Sequence, residues 1–392
     1  MQHGRPAERP VTHFLNDPAV RGVLYQVALG VAVVLFFYFI VTNTAENLAR
    51  ANIASGFGFW NVTAGFDISQ TLIDYSFDSS TYGRAFLVGL LNTLLVSAIG
   101  IVIATVVGFA VGIGELSTNW LVARISHAFV EIIRNTPLLL QLLFWYNAVI
   151  KALPEVRESI ALPGSIFLNN RGLFVPQPVF GGEGRLILYA ALAGPLAALA
   201  FTLAARNRDW RLWPRVVAAA LLVCVPPAAA FLYAGSAVTL AFPEIGRFNI
   251  RGGIEILPEF VALVVGLSLY TAGFIAEAVR AGLLSVPKGQ IEAARALGFR
   301  RGLELRLIVI PQAMRVIIPP LTNQYLNLIK NSSLAVAIGY PDLVQIFAGT
   351  VLNVTGQAVE VVVITMGVYL VISLITSAAM NFYDARIALK ER

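Results

Sequence analysis

Seven charged side chains, Lys288, Glu292, Arg295, Arg300, Arg301, Glu304 and Arg306, fall within one short stretch between two of the most apolar runs in the chain. Pro287, Gly289, Gly298 and Gly302 punctuate this stretch, so the pattern predicts short helices separated by turns. Ala293, Ala294, Ala296 and Leu297 give the first of them a small apolar face with a basic rim. A helix of that kind suits insertion into a groove on another protein. The chemistry on offer is recognition, not bond making. The competing reading is a loop that is basic only to fix membrane topology.

No catalytic set accompanies it. The four lysines are Lys151, Lys288, Lys330 and Lys390, and none sits in a Gly-x-x-x-x-Gly-Lys-Ser/Thr loop. The chain therefore lacks the usual phosphate cradle for ATP. If ATP drives its work, a separate subunit binds the nucleotide and its Mg2+, and this chain needs no cofactor of its own. His3, His13 and His127 are isolated, and Cys224 is the single cysteine, so no metal cluster or intrachain disulfide is expected. Neither paired intramembrane acids nor a Ser–His pair is apparent, which removes the main support for an intramembrane protease or acyltransferase.

These residues must be held by membrane helices. The chain has 392 residues, 57% hydrophobic and 13% charged, where a soluble domain carries roughly 25% charged residues. Eight apolar segments, at about 22–42, 86–114, 127–150, 186–205, 214–240, 258–281, 312–338 and 358–382, each approach or exceed the ~20 residues that span a bilayer. The first follows a polar, proline-broken stretch and reads as an uncleaved helix. With the N-terminus in the cytoplasm, the inside segments hold 18 Lys and Arg and the outside segments hold 9. That excess predicts cytoplasmic N- and C-termini and places 290–311 in the cytoplasm. The net charge of +6 is read as this topology signal, not as nucleic-acid binding. Two outside loops are long: 43–85, which contains FGFWNVTAGFDIS and several acids, and 151–185, which is rich in Gly, Pro and aromatics. They predict ordered caps over the helices or a docking surface for an outside partner.

Glu292-Ala293-Ala294, three residues, Gly298, nine residues, then Ile308-x-Ile310-Pro311 resembles the EAA loop of ABC-importer permeases, with Ile310 where Leu is usual. EIIRNTPLLLQLLFWY (131–146) is similar to the Arg-Gly-Thr-Pro-Leu-Leu-x-Gln segment of polar amino-acid permeases, with Asn135 in place of Gly. LVGLLNTLLVSA (87–98), AEAVRAGLLSVPKGQIEAARALG (276–298) and NLIKNSSLAVAIG (327–339) match the same family. The resemblance covers 85–150 and 258–385. It implies an all-α polytopic fold: a five-helix permease core with three further transmembrane helices, like the larger subunits of general L-amino-acid permeases. It also implies a cell inner-membrane importer whose EAA loop, through Glu292, Ala293, Ala294, Gly298 and Pro311, docks on a cytoplasmic ATPase. Implied partners are a second, different permease, two ATPase subunits and a periplasmic amino-acid-binding protein, beside membrane lipid. The expected division is 1–84 (tail, extra helix and outer loop), 85–150 (core helices one and two), 151–257 (insertion with two helices) and 258–392 (core helices three to five, with the coupling loop at 282–311). An ion-gradient-driven secondary transporter is the alternative.

Polar side chains inside membrane helices are costly and face a cavity or a partner. Counted at about 1.5 Å per residue, Gln141, Asn323 and Gln324 fall near mid-depth. Tyr270 and Thr271 lie about 18–20 Å from the outer face by the same rise. Asn92 sits in the outer half and Thr136 nearer the cytoplasm. Such neutral groups suit a zwitterion leaving water, and equally suit ordinary helix-to-helix bonding. Glu277, near the inner face, is expected to pair with Arg280 or to gate. Arg134 is expected to pair with an acid, either Glu131 or one on a neighbouring helix.

Overall fold

In the computed structural model, described for residues 18–51, 55–181, 185–205, 212–234, 238–246 and 250–387, the chain is a bundle of long apolar helices. Met1–Asp17, which carries His3 and His13, lies outside the described residues, as do Arg206, Arg208, Arg211, Arg247, Lys390 and Arg392 of the charge count.

Among the described residues, six helices are long and apolar enough to cross a membrane. Four are α1 (Pro18–Arg50), α2 (Tyr82–Glu115), α6 (Leu212–Ala234) and α7 (Pro258–Leu284). The others are α12 (Ala358–Ile387) and the rod built on α10 (Ile310–Asn331). The eight expected segments each fall largely on helix, but the 214–240 segment overshoots, since α6 ends at Ala234 and 238–240 is extended strand, and two others fall short of a continuous span. The 127–150 segment breaks into α3 (Trp120–Asn135), α4 (Leu138–Leu143) and a π-helical stretch, Phe144–Ile150. Pro137 causes the first break, because it donates no N–H and pushes Thr136 into extended backbone. In α5 (Arg185–Ala204) the apolar part is short, Tyr189–Thr202.

The centre of the bundle is the α2–α7 seam. Small residues on α2 let the two backbones approach. A Cβ on Gly108 would stand 2.6 Å from Ile275 Cβ, and one on Gly112 would stand 2.6 Å from Ala276 O. Close approach through small residues is how helices associate where lipid is as apolar as leucine. Toward the C-terminal ends of α2 and α7, Ala104, Ile275, Val279, Ala313 and Ile317 fill the core, and the Thr105 and Tyr325 hydroxyls meet at 2.9 Å between α2 and α10.

The segment before α2 packs as a cap on the helices. Phe59 and Trp60 stack with Tyr82, Phe86 and Phe347, the Phe86–Phe347 centroids 5.3 Å apart. The Gly56 N–H also donates to Glu360 at the head of α12.

Residues 160–180 hold strands that helical periodicity did not predict. β1 (Ile160–Leu162), β2 (Ile166–Asn169) and β3 (Gly172–Val175) form an antiparallel sheet. β4 (Gln177–Phe180) follows them. After α6 come β5 (Val238–Ala241), β6 (Glu244–Ile245), β7 (Ile250–Arg251) and β8 (Ile254–Ile256). β8 completes the sheet beside β3, pairing Phe174 with Glu255, and β4 pairs with β5. The excursion through α5 and α6 therefore leaves and returns on adjacent strands, which brings the chain back to the start of α7. α5 and α6 pack on each other.

Candidate functional site

The charged stretch folds as two short helices. α8 (Lys288–Ala296) follows Pro287, and α9 (Arg301–Glu304) follows a turn. Gly298 makes the turn at φ 77°, a left-handed backbone that side chains with a Cβ rarely adopt. The Gly298 and Phe299 amides close the end of α8 on Arg295 O and Ala294 O, the pairing expected of a glycine C-terminal cap.

The two helices are clamped together across that turn. Arg295 Nε donates to Glu304 Oε2 at 2.9 Å and Nη2 to Oε1 at 3.2 Å. This forked geometry is the strong form of an arginine–carboxylate contact. The Glu304 carboxylate holds the Arg295 guanidinium above its ordinary range. The sequence shows both charges but not their pairing. Opposite signs bracketing a glycine turn were the available signal.

The small apolar face predicted for α8 divides in two. Ala294 is buried against the bundle, while Glu292, Ala293, Ala296 and Leu297 face outward, Leu297 at 76% exposure. α9 runs through a π-helical turn, Leu305–Val309, into α10, with Pro311 in its first turn. The Ile310 N–H donates to Leu305 O across this wider turn, just ahead of Pro311, which has no N–H to donate. α9, the π-helical turn and α10 thus form one continuous rod. The Gln312 amide also donates to Gln290, tying α8 to that rod.

Above this segment lies an ionic cluster. Arg134 of α3 reaches Glu277 of α7 at 3.2 Å, and Arg280 reaches the other oxygen of Glu277 at 3.3 Å. The Arg134 guanidinium also lies 5.5 Å from the Phe274 ring centroid. Arg134 therefore pairs across helices, and Glu131 instead accepts from Asn135.

The polar residues predicted for a pathway fall into two groups. Asn92 is fully buried and donates to Gln70 O and Pro341 O. Gln141 is buried and donates to Ile133 O and Thr136 O, bridging the break at Pro137. The Thr136 hydroxyl bonds Ile132 O, and Thr271 is buried in the α7 core. Tyr270 is half-buried with its ring 5.0 Å from Phe274, Gln324 is half-buried, and Asn323 is exposed.

Asp342 had no sequence signal. It lies between the α10 rod and α12, fully buried, where Oδ1 accepts the Gln345 N–H at 2.8 Å and Oδ2 accepts the Tyr369 hydroxyl at 3.3 Å. Burial pushes its carboxyl up to about 7. Among the described residues no group of His, Cys, Asp and Glu has the make-up of a metal site.

Comparison with known proteins agrees with this anatomy. Residues 100–389 match the family described as binding-protein-dependent transport system inner membrane component. The putative amino-acid ABC transporter permease YhdX of Escherichia coli is 49% identical over 401 residues, covering 100% of both chains. The general L-amino acid transport system permease AapQ of Rhizobium johnstonii is 49% identical, over 96% of this chain and 95% of its own length. The glutamate/glutamine/aspartate/asparagine transport permease BztB of Rhodobacter capsulatus is 39% identical over 96% of each. The helical bundle, its charged loop and these matches together identify a multi-pass permease: the chain belongs to the family of binding-protein-dependent transport system inner membrane components.

Proposed function

We propose that this chain is the larger permease subunit of an ATP-driven importer of L-amino acids, and that α8–α9 is its coupling element. The observation that carries the reading is the exposed α8, with Glu292, Ala293 and Leu297 outward, joined through the Gly298 turn and the Arg295–Glu304 clamp to the rod containing Pro311. Full-length similarity to amino-acid permeases supports the substrate class.

In this reading the N- and C-termini are cytoplasmic. A second, different permease completes the pathway, two ATPase subunits bind ATP and Mg2+, and a periplasmic binding protein delivers substrate. Residues 85–150 and 258–392 form the core, 151–257 is an insertion, and 1–84 adds a helix and outer cap. Closure of the ATPases pushes α8 and α9. The rod transmits that motion to α10, and the Arg134–Glu277–Arg280 cluster near the inner face opens and closes with it. Tyr270, Gln324 and Asn323 face the substrate pathway, while Asn92, Thr136, Gln141 and Thr271 hold its walls in place.

Uptake of labelled amino acids into vesicles holding the full assembly tests the energy source. The account expects uptake that needs ATP and survives collapse of the proton and sodium gradients. Uptake that persists without ATP and fails with the gradients would replace it with the ion-driven alternative.

A further inference from the structure

At the inner end of the α2–α3 hairpin lies a cavity of about 280 Å³, lined by Glu115, Trp120, Ala123, Arg124, His127 and Arg280. Glu115 ends α2, Trp120 opens α3, and Arg280 comes from the last turns of α7. The site is thus built from three helices. We propose that this cavity holds the phosphate headgroup of an anionic phospholipid from the cytoplasmic leaflet.

Two guanidinium groups and an imidazole face one carboxylate. That carboxylate is turned inward: the Glu115 side chain is only 3% exposed, with Oε1 3.2 Å from His127 Nδ1 and Oε2 buried without a hydrogen-bond partner. Glu115 therefore fixes the imidazole and offers no outward face to a ligand's ammonium, which disfavours a free amino acid here. Arg280 shares its charge with Glu277, whereas Arg124 is exposed at the cavity edge. The balance favours an anion.

Trp120 is 75% exposed, and Leu121 and Ile125 beside it are 56% and 62% exposed. An indole at the start of an apolar helix face marks the membrane–water boundary. A headgroup seated at Arg124 would lay its acyl chains along Leu121 and Ile125. Basic pockets between membrane helices on the cytoplasmic side bind anionic headgroups by this combination of charge and depth.

The inference rests on the cytoplasmic placement of this end. The test does not, because symmetric vesicles read the same whichever way the chain faces. The full assembly is reconstituted in phosphatidylcholine vesicles containing dibrominated phosphatidylglycerol or dibrominated phosphatidylcholine. Quenching of Trp120 is isolated by subtracting a Trp120→Phe variant. Phosphatidylglycerol should quench Trp120 preferentially, and Arg124→Ala should lower that preference about fivefold, the loss expected for one basic residue near an anionic surface. Arg124→Lys should keep most of it. Equal quenching by the two lipids overturns the proposal, as does a preference untouched by Arg124→Ala. If millimolar inorganic phosphate abolishes the preference, the site takes a soluble phosphate and the lipid assignment fails.

Discussion

Along the α2–α7 seam, Ala104, Ile275, Ala276 and Val279 are almost wholly enclosed by their own chain, whereas in α8 only Ala294 is buried. The seam is held by backbone proximity, and a methyl group added at Gly112 would meet a carbonyl oxygen. α8 and α9 are held by a capped glycine turn and one forked ion pair. Packing of the first kind specifies shape and tolerates little change. An exposed segment of the second kind keeps its shape while leaving its outer face for another surface. The contrast separates residues that build the bundle from residues that pass a signal to it.

Substitutions along the seam should give the largest effect. Gly112→Ala overpacks α2 against α7 and is expected to cost about 1–3 kcal/mol of stability, with Gly112→Leu failing to accumulate as folded permease. Thermal unfolding of the purified assembly reads this directly. Unchanged unfolding in Gly112→Leu would mean that the seam is looser than described.

Reversal of the clamp should give a smaller effect of a different kind. Arg295→Glu faces the buried Glu304 with a like charge and should depress transport by loosening α8–α9, while shifting unfolding of the bundle less than Gly112→Leu does. The double variant Arg295→Glu with Glu304→Arg should recover part of the transport. A double variant as impaired as the worse single one would show that each residue acts alone.

Asp342 should give the mildest effect. Its folded carboxyl titrates at about 7, above the ~3.9 of an unfolded aspartate. Stability from the neutral form is therefore fully present below the unfolded value and is lost as pH rises through 7. Unfolding temperature should fall between pH 6 and pH 8 in the wild type, and Asp342→Asn should flatten that slope. An equal slope in both would remove Asp342 as the titrating group.

Apolar length made the bundle legible in the sequence, because no soluble fold needs such runs. Glycine and proline punctuation made the α8–α9 boundary legible, since Gly298 and Pro311 act locally. Pro137 was visible as a residue, yet its consequence, a helix broken into α3, α4 and a π-helical stretch, was not, since a proline in lipid can also only kink a helix. The β3–β8 and β4–β5 pairings were hidden because the partners lie some 60–80 residues apart across the α5–α6 excursion. The Arg134–Glu277 pair spans two helices, so no spacing rule in one of them reports it. Asp342 was hidden for a related reason: one acid in a loop looks exposed until Tyr369 and the Gln345 amide close around it.

The central claim is that α8–α9 transmits ATPase motion. Its most direct test is ATP hydrolysis stimulated by loaded binding protein in the reconstituted assembly, compared between wild type, Glu292→Lys and Gly298→Asp. Glu292 is exposed, so Glu292→Lys should leave unfolding within about 0.5 kcal/mol of wild type. The account predicts that both variants assemble with the ATPase or lose only that contact, and that both lose stimulated hydrolysis and uptake together. Full stimulation and uptake in both variants would contradict it.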